Sequence, residues 1–308
     1  MEWIIARWVT FVGTLIAIGA CAVGLAILPR AASDAATRSA TARDAARLGI
    51  GACIALIPAA LMRLADQAMA LQAPGDPWIG GIGILLTATT WGTGFLWQSA
   101  ATLLALAAFA LVMRAPTAQH WWLLATLAAV GLCVTPSLQG HAIGTETYTA
   151  LAVASDITHV TGAGLWLGGI AVIGWLGFAL PASDGTVAPH STETADARLR
   201  SLVPLVPPVA LTGAGLLVAS GVASSVIHLN DVRELWSETW GRYVLVKTVL
   251  VLAIIALGAR NWRRLGPRIA AADGAAALRR SLLIELLVAL LVLLVTALLV
   301  VTPLPGES

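Results

Sequence analysis

Residues 154–169 read ASDITHVTGAGLWLGG. Asp156, His159 and Trp166 recur at spacings of three and seven, which gathers them on one face of a helix whose other positions are apolar or small. A stretch of this kind reads as a helix inside a membrane. An acid and an imidazole placed there need a reason.

The rest of the chain supports a membrane reading. Hydrophobic residues make up 58% of the 308 and charged residues only 11%, with a mean hydropathy of +0.87, whereas a soluble domain carries about 25% charged residues. Apolar runs of about twenty residues recur along the whole length and leave no room for a separate soluble domain, so residues 1–308 are expected to form a single transmembrane domain. The net charge of +2 lies mostly in loops, where it bears on orientation and not on a nucleic-acid partner. Cys21, Cys53 and Cys133 all fall inside apolar runs and imply no disulfide framework. The first run, Trp8 to Leu28, is followed rather than preceded by its basic residues (Arg30, Arg38, Arg43, Arg47), so it reads as a retained span and not a secretion signal.

Eight spans fit, at about 5–28, 48–70, 79–112, 121–138, 149–180, 202–228, 241–262 and 281–302, giving an all-α integral membrane bundle. The third and fifth exceed the roughly 20 residues a span needs, and are expected to tilt, kink at glycines or run into an interfacial turn. The 1–2, 3–4, 5–6 and 7–8 connections carry four, one, two and, counted from Arg260, six Lys/Arg, against Arg7, Arg233 and Arg242 on the other side. The positive-inside rule then puts both termini outside. The 181–200 connection reads as an inner loop containing His190.

In that frame the second span carries Arg63, Asp66 and Gln67, the fifth Asp156 and His159, and the seventh Lys247, all within one outer-half layer. Such a layer implies pairing or water access. Arg63 with Asp66, and Asp156 with Lys247, are candidate structural ion pairs as well as candidate site residues. Three histidines fall on the outer side: His141 after the fourth span, His159 in the fifth and His228 at the end of the sixth. Met62 and Met69 stand near the outer end of the second span, and Cys133 precedes His141 by eight residues. Imidazole, thioether and thiolate together favour Cu(I) over hard ions. Ser220, Ser224 and His228 form a polar stripe in the sixth span, and Cys21 and Cys53, in the inner halves of spans one and two, could receive a soft ion leaving inward. Glu285, one turn inside the last span, is expected to snorkel or to pair with the arginines before it.

The series GHA at 140–142, DITHVTGAGLWLGG at 156–169, HL and WGRYVLVKTVLVLAIIALGARNWRRL within 228–265, and RRSLLIELLVALLVLLVTALLVVTPLP at 279–305 resembles the CopD family of bacterial copper-resistance membrane proteins, closely over 137–305 and by span pattern before that. The resemblance implies an eight-span inner-membrane protein that moves copper from periplasm to cytoplasm, often beside a periplasmic carrier of the CopC type. That carrier is fused to the chain in some members; here only LPGES follows the last span, so a separate carrier or none is expected. Family features fall on His141, Asp156, His159, Trp166, Gly241, Arg242, Lys247, Asn261, Arg263 and Glu285, and Trp240 stands where the family has Tyr.

The leading expectation is a copper-binding permease, not an enzyme, in which His141 and His228 capture the ion and His159, helped by Met62 or Met69 and oriented by Asp156, receives it. The same histidines also suit haem in a b-type cytochrome or quinone-linked carrier, although His120 and His190 supply no second pair on the inner side. A non-transporting assembly factor for copper enzymes would share the ligands. Without a nucleotide-binding fingerprint in the sequence, direct drive by ATP is not expected.

Overall fold

Leu-, Ala- and Val-rich runs satisfy their peptide groups in a bilayer by closing into helices. The computed structural model describes residues 4–72, 79–139, 149–178, 189–228, 231–271 and 273–302, and every regular element among them is helical: α1 (Ile4–Ala22), α2 (Ala35–Ala70), α3 (Ile79–Ala88), α4 (Thr90–Arg114), α5 (Gln119–Leu132), α6 (Thr135–Gln139), α7 (Thr149–Ala163), α8 (Gly169–Leu176), α9 (Pro189–Leu202), α10 (Val206–His228), α11 (Glu234–Ser237), α12 (Thr239–Arg260) and α13 (Gly274–Val301). Short π and 3-10 turns join several of these, leaving eight helices long and apolar enough to cross a membrane. The Trp8 indole N–H donates to the Leu290 carbonyl at 3.1 Å, tying the start of α1 to the outgoing half of α13. We call this end of the bundle the terminal side and the opposite end the arginine-rich side.

α1 is the central helix. It packs against α2, α5, α8, α13 and the π turn Gly164–Gly168, and its Leu15, Ile18, Cys21 and neighbouring Val23 enter one core with Phe109, Trp122 and Trp166. α2 is about 54 Å long at 1.5 Å per residue, well beyond a hydrocarbon core of about 30 Å. Its first third carries Thr, Ser, Arg and Asp side chains at the arginine-rich side, while Ala42, Ala45 and Ala46 remain in the core. Asp34 caps it, accepting from the Thr37 hydroxyl at 2.6 Å and the Thr37 amide at 2.9 Å. Those bonds, the hydroxyl's first, hold the Asp34 carboxyl below its usual value, so the cap stabilises the helix at neutral pH and weakens as the pH falls through the carboxylate range.

Four boundaries differ from expectation, each for a local reason. The long third span breaks at Thr89, an extended residue whose hydroxyl accepts from the Gly92 amide at 3.0 Å and so starts a new helix, α4. The fifth span widens into a π turn at Gly164–Gly168 before α8. The expected 181–200 loop contains α9, with His190 on its first turn. Good helix formers in GAAALRR start α13 at Gly274 rather than 281, so Glu285 lies eleven residues, roughly 16 Å, from the helix start. It is 1% exposed and hydrogen-bonded to Asn261, and so neither snorkels nor pairs directly with an arginine among the described residues.

Two glycine contacts set the helix spacing. A Cβ at Gly162 would lie 2.7 Å from the Gly213 carbonyl oxygen, and one at Gly213 would lie 2.6 Å from that of Gly162, so α7 and α10 touch backbone to backbone. Gly19 meets Gly168 the same way, with a Cβ position 2.1 Å from the Gly168 carbonyl carbon. Gly51, by contrast, has nothing within 4 Å of its Cβ position. Substituting Gly162→Leu should force α7 and α10 apart and cost about 2 kcal/mol or more, by analogy with overpacked cores, whereas Gly51→Leu should be near neutral. Thermal unfolding in detergent, followed by tryptophan fluorescence, checks the contrast; equal melting temperatures for the two variants would refute it.

Candidate functional site

The face of α7 that the Gly162–Gly213 contact presses onto α10 carries Ser155, His159 and Gly162 at spacings of four and three. Antiparallel register then brings Ser155 and His159 to Ser220. The Ser155 hydroxyl donates to the Ser220 carbonyl at 2.9 Å, and His159 Nδ1 lies 3.1 Å from Ser220 Oγ. Ser220 Oγ is also 2.6 Å from the Leu216 carbonyl and 3.1 Å from that of Leu217. Carbonyls can only accept, so the single hydroxyl proton of Ser220 goes to them and its lone pair faces the ring. His159 therefore donates through Nδ1–H and keeps its lone pair on Nε2, the atom left for a ligand. Leu217 is also a hydrogen-bonding backbone partner of His159, consistent with an N–H on that side of the ring.

Asp156, one turn before His159 and rotated toward α6, accepts from the Ser137 hydroxyl at 3.3 Å. Lys247 of α12 approaches both groups closely enough to interact electrostatically with Asp156 and with His159. α10 packs on α7 and α12 on α13, so Lys247 carries charge from one helix pair to the other. Opposite charges placed this way offset much of each other's desolvation. The half-buried acid, base and imidazole form a single electrostatic unit.

The structure separates several residues the sequence had grouped. Cys133 accepts from the Thr161 hydroxyl at 3.5 Å, and Thr161, two residues beyond His159, projects to the opposite side of α7, so thiol and imidazole do not share a face. Met62 and Met69 stand on α2, which packs chiefly on α1 and α4, and Met69 is 49% exposed. They are not brought to His159. His228 ends α10 two turns, roughly 12 Å, past Ser220; its side chain, and His141 altogether, lie outside the described residues. Arg63 and Asp66 are half-buried on α2, and Trp166 is a core residue beside Gly213. Among the described residues, no three His, Cys, Asp or Glu side chains converge as a metal cluster. Cys21 and Cys53 lie in the same buried core cluster, both thiols free and near enough to interact electrostatically.

Sequence reading missed a further set. Gln98 is 2% exposed, and its amide, that of Gln139 and the Thr135 hydroxyl have no hydrogen-bond partner among the described residues. Gln139 packs over Gly94, one turn from Gln98, so these groups extend the polar layer of Ser137 and Asp156 into the α4–α6 interface. A glutamine in the middle of an apolar span was the available signal. Ser137 had none beyond its place in the short TPSLQ turn.

The family described as copper resistance protein D matches residues 207–299, and the family described as copper resistance protein D-like, N-terminal domain matches residues 1–151. The copper transport protein CutJ of Bacillus subtilis (strain 168) is 28% identical over 152 residues, 47% of this chain. The aligned part spans about a quarter of that relative's length, 26%. No solved structure matches. With both halves matched by copper-resistance families and eight apolar helices to carry them, the chain belongs to the CopD family of copper-resistance membrane proteins.

Proposed function

We propose that the protein is a permease of the bacterial inner membrane, one membrane domain with both termini in the periplasm, that takes copper from the periplasmic, terminal side toward the cytoplasm. The observation that carries this reading is the contact of His159 Nδ1 with Ser220 Oγ, a hydroxyl already engaged with the Leu216 carbonyl, which leaves Nε2 as the ring nitrogen available to a ligand within a layer that also holds Asp156 and Lys247. The arginines of the opposite side support the orientation. His141 and His228 receive the ion at the mouth, from a periplasmic carrier of the CopC type where one is present. His159 takes it next. Because Met62 and Met69 stand a helix away, the soft ligands further in are the Cys53 and Cys21 thiols, which suit Cu(I).

Lys247 gives this path a release device. Copper on His159 and the ammonium compete for the charge of Asp156, so the lysine that neutralises the empty site opposes prolonged occupancy of the full one.

His159→Ala should abolish copper bound by the purified protein and return cellular copper to the level of cells lacking it, read by elemental analysis. Ser220→Ala frees the tautomer and should weaken binding about 10-fold, the usual scale for losing a group that orients a ligand. Lys247→Met should do the opposite, raising bound copper while slowing radioactive copper uptake into proteoliposomes. Unchanged copper in His159→Ala would sink the reading; binding without any uptake by the native protein would leave a copper-binding assembly factor instead. Orientation is checked separately by reporter fusions after Thr302, which should be active only in the periplasm.

A further inference from the structure

Glu285 is the most deeply buried carboxyl among the described residues outside the His159 layer, at 1% exposure and close to the midpoint of α13. Its surroundings are unlike those of a structural ion pair. Oε2 accepts from the Asn261 side-chain amide at 2.8 Å, and Oε1 has no hydrogen-bond partner among the described residues. Gly258 of α12 faces Oε1: a Cβ there would lie 3.3 Å from that oxygen. A buried carboxylate needs a cation or several donors. This one has a single amide.

Charged and titratable groups on the neighbouring elements do not fill that role. α12 carries Arg242, Tyr243 and Lys247 toward its terminal-side end, about three turns or more from Gly258, and Arg260 at its other end, while the turn after it adds Arg263 and Arg264; of these Arg260 bonds Ser281 at 3.4 Å rather than Glu285. On α13 itself, Arg279 is engaged by Asp196 of α9, and Arg280 sits with it at the arginine-rich end. The described side chains of α9 add Arg198, paired with Asp44, and Arg200, near Asp196. Arg268 lies in the turn beyond α12. α8 carries no titratable side chain, and α1 has only Arg7, near its terminal-side end, and the Cys21 thiol. From Glu285 a hydrogen-bonded chain runs toward the arginine-rich side: Asn261 Oδ1 accepts from the Ser281 hydroxyl at 2.5 Å, and Arg260 reaches that hydroxyl.

We infer that Glu285 is a proton-binding site in the middle of the membrane, opening to the arginine-rich side along Asn261, Ser281 and Arg260. A proton on Oε1 removes the buried charge that the surroundings leave uncompensated, and Gly258 leaves space beside that oxygen for the proton to come and go. Here lies a second ion site, separate from His159. The two are on different helix pairs, α7–α10 and α12–α13, at depths that differ by roughly 16 Å, counted along α12 from Lys247 to Gly258. As a consequence that rests on the permease reading, proton release at Glu285 toward the cytoplasm accompanies copper entry.

Infrared difference spectroscopy of the full chain in proteoliposomes tests the site. The native protein should show a protonated-carboxyl stretching band that changes with pH and shifts in heavy water. Glu285→Gln, which keeps the shape and the Asn261 contact, should lose it. Gly258→Ala, which crowds Oε1, should move the band without removing it. No such band in the native protein, or the same band in Glu285→Gln, would overturn the inference. For the coupling, an imposed pH gradient should stimulate copper uptake by the native protein and not by Glu285→Gln, with copper bound per protein unchanged. Equal stimulation of both would overturn the coupling. Absent uptake by the native protein would count against the permease reading alone, because the infrared band decides the proton site without transport.

Discussion

The contact between Gly162 and Gly213 is the constraint on which the site depends. Side chains of ordinary size at those positions would push the two helices apart and lengthen the contacts of Ser155 and His159 with Ser220. With hydrogen in their place the backbones close up, each carbonyl filling the space of the other's missing Cβ. In water such a contact would be reinforced by the hydrophobic effect. Lipid offers no such drive, so close packing and the hydrogen bonds it enables hold α7 on α10. The same logic repeats at Gly19 and Gly168, where the central helix α1 seats against the π turn. That turn adds one residue to the helical ladder, and with it the span changes register between the polar layer around His159 and the apolar core around Trp166.

Polar groups in this bundle are organised by what each can be paired with. Asp156, His159 and Lys247 share their electrostatics across two helix pairs, and Ser220 of α10 and Ser137 of α6 supply hydrogen bonds. None of these side chains has a full complement of partners from its own helix. Removing one therefore changes the protonation and orientation of the others, which is the behaviour of a site and not of independent buried residues. Gln98, Thr135 and Gln139 extend the layer with unmatched donors and acceptors, a density that apolar packing alone does not produce.

How much of this could be read from the sequence depends on the range of the interaction involved. Eight spans and an all-helical fold were legible because hydropathy and length are local properties, summed over twenty residues at a time. The break at Thr89 and the π turn at Gly164–Gly168 were only half legible: residue 79–112 and 149–180 runs were too long for simple spans, but the choice among tilt, kink and restart is made by caps and by what packs alongside. The layer containing Asp156, His159 and Lys247 followed from depth alone, since each position is fixed by counting from a helix end. Lateral placement did not. Met62 stands at a depth comparable with Asp156 yet on a helix that faces α1 and α4, and Cys133 reaches α7 on the face that His159 does not use. Glu285 was placed too shallow because the start of α13 was set by arginines assumed to lie in a loop, whereas AAALRR continues the helix inward. In each case the missing knowledge was rotational: hydropathy gives the height of a residue in the membrane, and only packing gives its direction.

Height and direction together bear on how a cation could cross such a bundle. A single unscreened charge at the bilayer midplane costs several kcal/mol, so a path needs groups that change charge as the ion moves. The described residues contain two arrangements able to do that. At His159 the compensating charge is the Lys247 ammonium, which interacts with both Asp156 and the imidazole. At Glu285 it is a proton, because the carboxyl has one amide partner and no cation. The first arrangement joins α7–α10 to α12, and the second joins α12 to α13, so α12 belongs to both. Only Gly241 and Ile254 of α12 are buried, making it the least tightly held of the long helices and the element best able to shift between them. A small rotation of α12 would move Lys247 and Asn261 together, linking the charge state of one site to that of the other through a rigid helix rather than through a continuous polar channel.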